Sequence, residues 1–381
     1  MMKVIIAIDS FKGSISSIEG SKAISSGIRE VYEEAEIIAF PLADGGEGTV
    51  DALVQSTNGQ FINVSVTGPL NSRVDAIYGI LGDGKTAVIE VAAACGLPLV
   101  HQKDRNPFLT TTFGVGELIL DAIERGCREF VIGLGGSATN DAGVGMLQAL
   151  GFRFMGQSGH EVGFGGGVLQ DIDRIDTQNV HSILADCTFK LACDVTNYLH
   201  GTEGAAYVFG PQKGASEDDV KKLDNGLKHF ATIVNQEIGK DIHTMKGAGA
   251  AGGLGAAFFG FFNAELQSGI EVVLSILDVE QFMHDANFVI TGEGKLDSQT
   301  SMGKVPMGIA RLAEQYQVPV IAVAGSIAED ATQLNELGIT SYFSIMNTPM
   351  TVEEAMNPET TYNNLRGTTA QLFRLIKSVG R

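Results

Sequence analysis

Four segments of this 381-residue chain are rich in glycine, and acidic and hydroxyl side chains stand among these glycines. The segments are residues 44–49 (DGGEGT), 133–141 (GLGGSATND), 247–253 (GAGAAGG) and 291–300 (TGEGKLDSQT). Glycine permits positive φ and leaves backbone amides open to a ligand, and successive free N–H groups form a concave site for anions. Carboxylates beside such a site can hold the Mg²⁺ that accompanies phosphate. The pattern therefore indicates an enzyme that uses a magnesium nucleotide.

The loop at residues 133–138 has the strongest context. It matches GxGxx[GA] and follows the predicted strand 129–133, and a helix starting after such a loop presents unpaired amides to an anion. Ser137, Thr139 and Asn140 add donors that suit phosphate. A structural turn and a nicotinamide site remain as alternatives. The second of these is disfavoured because no acid closes a further strand about 20 residues later.

Two further candidates come later in the chain. Asp194 follows the predicted strand 189–192, and the carboxyl end of a strand is where open α/β sheets bind ligands. Asp194 could accept a proton from a substrate hydroxyl, although Asn197 also fits a simple turn cap. Lys213 lies in a polar loop and is either a cation that neutralises phosphate or a solvent-exposed lysine.

Acids and lysines also meet near both ends of the chain. Glu293 and Asp297 flank Lys295 directly after a predicted strand, where they could hold Mg²⁺ and phosphate together. The alternative is a capped helix start with solvated charges. The turn at residues 9–13 (DSFKG) closes the first predicted strand and contains Lys12, a cation of the kind that an anionic substrate needs.

Two other glycine patterns are ambiguous. Residues 79–86 (GILGDGKT) match GxxxxGK[ST], but a predicted strand follows them instead of a helix, so we expect a hairpin turn. Residues 247–252 (GAGAAG) match GxGxxG without a preceding strand. They indicate either close packing of a buried helix or a shelf for adenine or phosphate.

Composition excludes several classes of protein. The formal net charge of −19 argues against nucleic acid and anionic membranes as partners, and it means that a site for an anionic substrate must gather local cations. The four cysteines form no CxxC pair and the seven histidines form no HExxH pattern, which disfavours a zinc site and indicates a reducing compartment. The apolar run before Asp9 is too short for a signal peptide, so we expect a cytoplasmic protein.

The predicted elements indicate an α/β fold with two domains. Strands and helices alternate at both ends of the chain, which is typical of a doubly wound, Rossmann-like parallel sheet. The middle contains predicted antiparallel strands. We therefore predict a discontinuous parallel-sheet domain formed by residues 1–66 and 283–381, with a mixed α/β domain of residues 67–282 inserted into it.

Taken together, the motifs resemble those of the glycerate kinase family, usually called glycerate 2-kinases or type I glycerate kinases. The resembling segments occur in the order of the family and span nearly the whole chain: 9–13, 42–49 (LADGGEGT), 133–141, 193–197 (CDVTN), 208–215 (VFGPQKGA), 249–255 (GAAGGLG) and 291–300. Two positions depart from the usual pattern. Tyr198 stands where proline is usual, and Ala142 stands where glycine is common.

The resemblance implies ATP-dependent, Mg²⁺-dependent phosphorylation of D-glycerate, usually to 2-phosphoglycerate, in an active-site cleft between two α/β domains. It also allows roles to be assigned as hypotheses. The catalytic and substrate-binding candidates are Asp194 as base, Asp44 as a second base or metal ligand, Lys213 and Lys12 as neutralising cations, and Ser10. The phosphate cradle would comprise Gly135, Gly136, Ser137, Thr139 and Asn140, and Mg²⁺ would bind Glu293 and Asp297.

Two other functions compete with the kinase. A nicotinamide-dependent dehydrogenase of a small hydroxy acid would use residues 133–138 and would change NADH fluorescence on binding. A two-lobed binding protein for small carboxylates would normally be exported, and the chain shows no signal segment. No feature of the sequence predicts an oligomeric state.

Overall fold

The computed structural model describes residues 1–298 and 300–380. The chain forms two compact units. Unit 1 contains Met1–Asp44, Asp51–Ser56 and Ser268–Arg381, and unit 2 contains Gly45–Val50 and Thr57–Gln267. The limits predicted from sequence were residues 66 and 283, which differ from these. The first limit differs because the strand Gln60–Thr67 pairs within the sheet of unit 2.

The elements of the described residues are as follows. The strands are β1 (Lys3–Ile8), β2 (Glu36–Pro41), β3 (Gln60–Thr67), β4 (Arg73–Ile80), β5 (Thr86–Glu90), β6 (Glu129–Gly133), β7 (Arg153–Gly156), β8 (Ile172–Asp176), β9 (Thr188–Ala192), β10 (Glu265–Gln267), β11 (Phe288–Leu296), β12 (Val320–Ile327) and β13 (Ser341–Ser344). The helices are α1 (Ser17–Arg29), α2 (Thr49–Ser56), α3 (Ala92–Cys95), α4 (Phe113–Glu124), α5 (Val144–Ala149), α6 (Ala205–Phe209), α7 (Glu217–Ile238), α8 (Ala250–Phe262), α9 (Gly269–Leu277), α10 (Val305–Gln315), α11 (Gln333–Glu336), α12 (Val352–Ala355) and α13 (Pro358–Val379).

Unit 1 is built on a five-stranded sheet in the order β13-β12-β11-β1-β2. All pairings are parallel, as predicted, and β1 is fully buried because its run of β-branched residues is covered on both faces. Helices α1 and α13 pack together closely. A Cβ atom at Gly27 would lie 2.4 Å from the carbonyl oxygen of Arg366, so only glycine permits this approach.

Unit 2 contains a six-stranded mixed sheet in the order β10-β9-β6-β5-β4-β3. The pairs from β10 to β5 are parallel, whereas β3, β4 and β5 are antiparallel, as the alternating pattern predicted. The turn between β4 and β5 confirms the hairpin: Asp83 Oδ1 accepts from the backbone N–H groups of Lys85 and Thr86, and no helix follows. Residues 79–86 therefore do not form a nucleotide-binding P-loop.

Strand β7 explains why the dinucleotide pattern fails. It pairs antiparallel with β8 in a separate two-stranded sheet instead of extending the parallel sheet beyond β6.

The core of unit 2 is rich in aromatic rings, with Phe130 and Phe189 stacked at a centroid distance of 4.9 Å. Within the described part of the chain, none of the helices combines the length and the apolar composition needed to cross a bilayer.

Candidate active site

The carboxyl ends of β1 and β11 bring together the first group of candidates, all in unit 1. The two strands are parallel neighbours, and Ile8 of β1 pairs with Gly292 of β11. Asp9, which follows β1, therefore lies near Glu293. The turn after Asp9 is closed by a hydrogen bond from Phe11 N to Ile15 O of 2.9 Å, and it carries Ser10 and Lys12.

Lys12 is the cation of this group. Its Nζ lies 3.1 Å from Asp44 Oδ2 and 4.0 Å from Asp9 Oδ2. Burial lowers the pKa of Lys12, but the charges of Asp44 and Asp9 outweigh this effect and leave the pKa above its usual value. Lys12 thus stays positively charged, and 54% of its side chain remains accessible to a ligand.

Asp9 is the most perturbed acid of the group. Its side chain is 2% exposed, and its Oδ1 accepts from Ser10 N at 2.6 Å. Burial and the nearby charge of Asp44 raise its pKa to about 7, with Lys12 opposing the shift. Sequence reasoning included Asp9 in a turn but gave it no role. The available signal was its position at the end of a fully buried parallel strand.

Glu293 and Asp297 are held by a shared partner. The Thr300 hydroxyl donates to Glu293 Oε1 at 2.6 Å, and its oxygen accepts from Asp297 N at 3.1 Å. Each acid also has a lysine nearby: Lys304 Nζ lies 3.7 Å from Glu293 Oε2, and Lys295 Nζ lies 3.0 Å from Asp297 Oδ2. Burial raises the pKa of Glu293, while the Thr300 bond and Lys304 oppose the rise. Gln299, in the same motif, lies outside the described residues.

These oxygens suit Mg²⁺ only as partial ligands. Among residues 1–298 and 300–380, no three His, Cys, Asp or Glu side chains form a ready metal site. A magnesium ion that arrives with a nucleotide needs only one or two carboxylates, because phosphate oxygens and water complete its shell. Glu293, whose carboxylate accepts from Thr300, and Asp297, whose backbone N–H donates to Thr300, fit that requirement.

A cavity of about 680 Å³ opens beside this group within unit 1. Asp9, Lys12, Glu293 and the lysines 295 and 304 line its polar part. Its remaining wall is apolar and includes Ile345, Met346, Met350, Val352 and Met356. The cavity therefore joins paired charges of both signs and apolar surface in one space.

The second group of candidates lies in unit 2, around the loop after β6. Gly135 and Gly136 are exposed, and Gly136 has a φ of 73°. Ser137, Thr139 and Asn140 are buried. Only the two glycines of the predicted cradle therefore present their backbone to solvent.

Lys213 is buried beneath this loop. It is 2% exposed, and its Nζ donates to Ser137 Oγ at 2.9 Å and to the Thr139 carbonyl at 2.7 Å. Burial lowers the pKa of Lys213 to about 8. The sequence predicted either a cation that neutralises phosphate or a solvent-exposed lysine. It did not predict a buried lysine that donates hydrogen bonds to the loop.

Asp141, which was assigned no role from the sequence, anchors the end of the same loop. It is fully buried, and its carboxylate accepts from Thr112 N, Thr112 Oγ1, Gly143 N and Gly145 N at 2.8–3.3 Å. Ala142 follows with a φ of 52°, the left-handed conformation for which glycine is the ordinary residue. The departure from the family pattern at this position therefore retains the backbone conformation of the loop.

Asp194 also lies in unit 2, two residues after β9, and is exposed. Asn197 nearby caps a turn, since its Nδ2 donates to Glu203 O at 2.8 Å. The predicted residues thus form two groups: Ser10, Lys12, Asp44, Glu293 and Asp297 belong to unit 1, and the others belong to unit 2.

Comparison with known proteins identifies the family. The family model described as "Glycerate kinase family" matches residues 4–377. The chain belongs to the glycerate kinase family. It is 49% identical over 354 residues to the glycerate 2-kinase of Escherichia coli K12, covering 93% of each chain. It is 48% identical over 361 residues to the glycerate kinase of Bacillus subtilis 168, covering 95% of this chain and 94% of that one.

A solved structure agrees with the sequence relatives. A crystal structure of a protein assigned as glycerate kinase 2 from Salmonella typhimurium LT2 matches with a TM-score of 0.91 and 43% identity, over 100% of both chains. The predicted family and the two-domain α/β glycerate kinase fold are confirmed. The protein is an enzyme, a kinase, and the alternatives of a dehydrogenase and a binding protein lose their support.

Proposed function

We propose that this glycerate kinase family member transfers the γ-phosphoryl group of ATP to the 2-hydroxyl of D-glycerate, with Mg²⁺, to form 2-phosphoglycerate and ADP. The observation that carries the proposal is the convergence of Lys12, Lys295 and Lys304 on one cavity in a chain of net charge −19. An acidic protein must gather cations to hold two anionic substrates. The name of the E. coli relative, glycerate 2-kinase, supports the 2-phosphate product.

The reaction needs a base and a positioned hydroxyl. The 2-hydroxyl oxygen attacks the γ-phosphorus, the bond from that phosphorus to the β,γ-bridging oxygen breaks, and the hydroxyl proton passes to a carboxylate. Asp194, exposed at the carboxyl end of β9, is the first candidate for that carboxylate. Asp44 is the second, because Lys12, only 3.1 Å from it, would hold the glycerate carboxylate beside it. Ser10 would add a hydrogen bond to the substrate.

Phosphate binding falls to the loop and the metal. The exposed amides of Gly135 and Gly136 would receive a phosphate, while Ser137, Thr139 and Asn140 shape the loop behind them. Lys213 would then act through Ser137 and Thr139 instead of touching the substrate. Glu293 and Asp297 would hold Mg²⁺, which when bound neutralises charge on the transferring phosphates.

The decisive experiment identifies the product isomer. The enzyme is incubated with ATP, Mg²⁺ and D-glycerate, and the product is passed to enolase with and without added phosphoglycerate mutase. A 2-phosphate is dehydrated by enolase directly, whereas a 3-phosphate requires the mutase. Release of ADP without direct enolase turnover would disprove the 2-phosphate assignment, and no glycerate-dependent ADP release would disprove the function.

The base is assigned by paired substitutions. Asp194→Asn and Asp44→Asn are compared with Asp186→Asn, an exposed aspartate of unit 2. Loss of the base should lower kcat by roughly 10²–10⁴-fold, because general bases contribute on that order. Near-full kcat in a folded Asp194→Asn variant would remove Asp194 from the role. We also propose a cytoplasmic enzyme whose partners are ATP and D-glycerate, because four cysteines without a CxxC pair are typical of a reducing compartment.

A further inference from the structure

The cavity of unit 1 has an apolar wall that glycerate cannot use. We define the methionine wall as Met346, Met350 and Met356. These residues line the cavity together with the lysine end, in which Lys12, Lys295 and Lys304 lie among the carboxylates of Asp9, Glu293 and Asp297. Glycerate is small and polar along its whole length. It would satisfy the lysine end but leave thioether and methyl surface in contact with water.

The wall exposes apolar surface that an apolar ligand could cover. Met356 is 42% exposed and Val352, beside it, is 75% exposed. Single exposed apolar residues are ordinary, but here they adjoin two further methionines and border a charged cavity. Methionine is flexible and polarisable, and its sulfur contacts aromatic rings favourably. The wall therefore suits a flat aromatic group.

The wall is tied to the turn that carries Lys12. The Ser14 and Thr361 hydroxyls are 2.6 Å apart, and Thr361 Oγ1 donates to the Ala355 carbonyl at 2.9 Å. Met356 lies over Gly13, whose φ is 80°, and a Cβ atom there would meet the Met356 methyl at 2.6 Å. The apolar wall and the cationic turn are thus held in a fixed arrangement within unit 1.

We propose that this cavity binds the nucleotide, with the purine ring against the methionine wall and the phosphate chain beginning at Lys295 and Lys304, while Lys12 remains the partner of the glycerate carboxylate. This inference rests on the proposed function and assigns the base of its phosphoryl donor to unit 1. The volume of about 680 Å³ lies within the range of roughly 300–1,000 Å³ that holds cofactor-sized ligands. The sequence had offered residues 247–252 of unit 2 as either a closely packed helix start or a shelf for adenine or phosphate. In the structure a Cβ at Gly252 would meet the Thr139 carbonyl oxygen at 2.0 Å, so the loop after β6 packs directly against this segment.

Methyl resonances test the proposal directly. The full chain is labelled with [methyl-¹³C]methionine, assigned by Met→Leu variants, and titrated with Mg²⁺-ADP and separately with inorganic triphosphate. Ring currents from the purine should shift the methyl signals of Met346, Met350 and Met356 with ADP, and much less with triphosphate. Met146 and Met155, buried in unit 2, serve as internal controls.

Kinetics give a second, independent measurement. Met350→Gln and Met356→Gln should each raise the KM for ATP by about tenfold, since each removes apolar contact with the base, and leave the KM for D-glycerate unchanged. Leu337→Gln is the matched control, because Leu337 in the same unit is also 42% exposed. It should change neither KM.

The outcomes separate the two proposals. Glycerate-dependent ADP release with unshifted signals of the methionine wall and an unchanged KM for ATP would overturn the inference and leave the proposed function standing. Shifted signals without any glycerate-dependent ADP release would support the nucleotide site and overturn the proposed function. Shifts confined to Met146 or Met155 would move the base to unit 2 and overturn the inference.

Discussion

Replacing Lys213 with methionine tests whether this protein keeps a charged lysine in its interior. The side chain is 2% exposed, and burial lowers its pKa from the ordinary 10.5 to about 8. Each pH unit of such a shift corresponds to about 1.4 kcal/mol. Holding the charged form at neutral pH therefore lowers the free energy of unfolding by about 3 kcal/mol.

The sign of the pH dependence follows from proton binding. The unfolded chain keeps the Lys213 proton up to its ordinary pKa of 10.5, whereas the folded protein releases it near pH 8. Between these values the unfolded state binds more protons, so the free energy of unfolding of the wild type rises relative to Lys213→Met by about 1.4 kcal/mol per pH unit. At neutral pH, Lys213→Met removes the cost of burying a charge, which raises the free energy of unfolding. It also leaves two hydrogen-bond acceptors unpaired, which lowers the free energy of unfolding by about 1–3 kcal/mol for each. We expect a small net change there.

The measurement is urea-induced unfolding followed by far-UV circular dichroism, since the chain has no tryptophan. Wild type and Lys213→Met are compared at intervals from about pH 7 to about pH 10, the window in which the difference should grow to about 3 kcal/mol. Lys85→Met, at an exposed turn of unit 2, is the control and should show no such growth. A difference for Lys213→Met that stays constant over this window would refute the lowered pKa of Lys213.

Three further predictions address the two units. Lys12→Met should raise the KM for D-glycerate by about tenfold or more, because a charge-assisted hydrogen bond contributes about 1.5–3 kcal/mol. Initial rates measure this KM, and an equal rise for Lys22→Met, at an exposed lysine, would contradict the prediction. Gly27→Ala should lower the free energy of unfolding by about 1–3 kcal/mol, since the added methyl meets the Arg366 carbonyl oxygen; thermal unfolding tests this, and an unchanged Tm would contradict it. Asp141→Asn should lower the free energy of unfolding by about 1–3 kcal/mol, because an amide donor replaces one of the acceptor oxygens. Denaturant unfolding measures this, and a variant as stable as the wild type would show that Asp141 does not anchor the loop.

Local patterns predicted the elements well. The apolar strand before Asp9 and the hairpin turn at residues 79–86 each follow from residue types within a few positions, and the structure confirms them. The amphipathic pattern near the end of the sequence predicts a closing helix only over residues 366–379, whereas α13 begins at Pro358. The cap explains the difference: Asn357 Oδ1 accepts from Glu359 N and Thr360 N, and the proline starts the first turn.

The site could be predicted only in part, because burial and partners depend on distant segments. The sequence places Lys213 in a polar loop, and nothing local shows that Ser137 and Thr139 enclose its ammonium group. Asp9 gains its raised pKa from burial and from Asp44, 35 positions away. The methionine wall lies on a segment between β13 and α13 that matches none of the glycine-rich motifs. Sequence motifs thus located the acids and lysines but not the surfaces between them.

Strand β1 pairs with β11, which follows it in sequence after most of the chain, and Val4 lies opposite Phe288. On a ribosome adding roughly 5–20 residues per second, β1 waits on the order of 15–60 s for this partner to be synthesised. During that time unit 2 can complete its sheet, whereas β1, wholly apolar apart from Lys3, has only β2 to cover one edge. The nascent chain therefore carries one unpaired edge of an apolar strand through most of its synthesis, and a chaperone bound there would protect the assembly of unit 1.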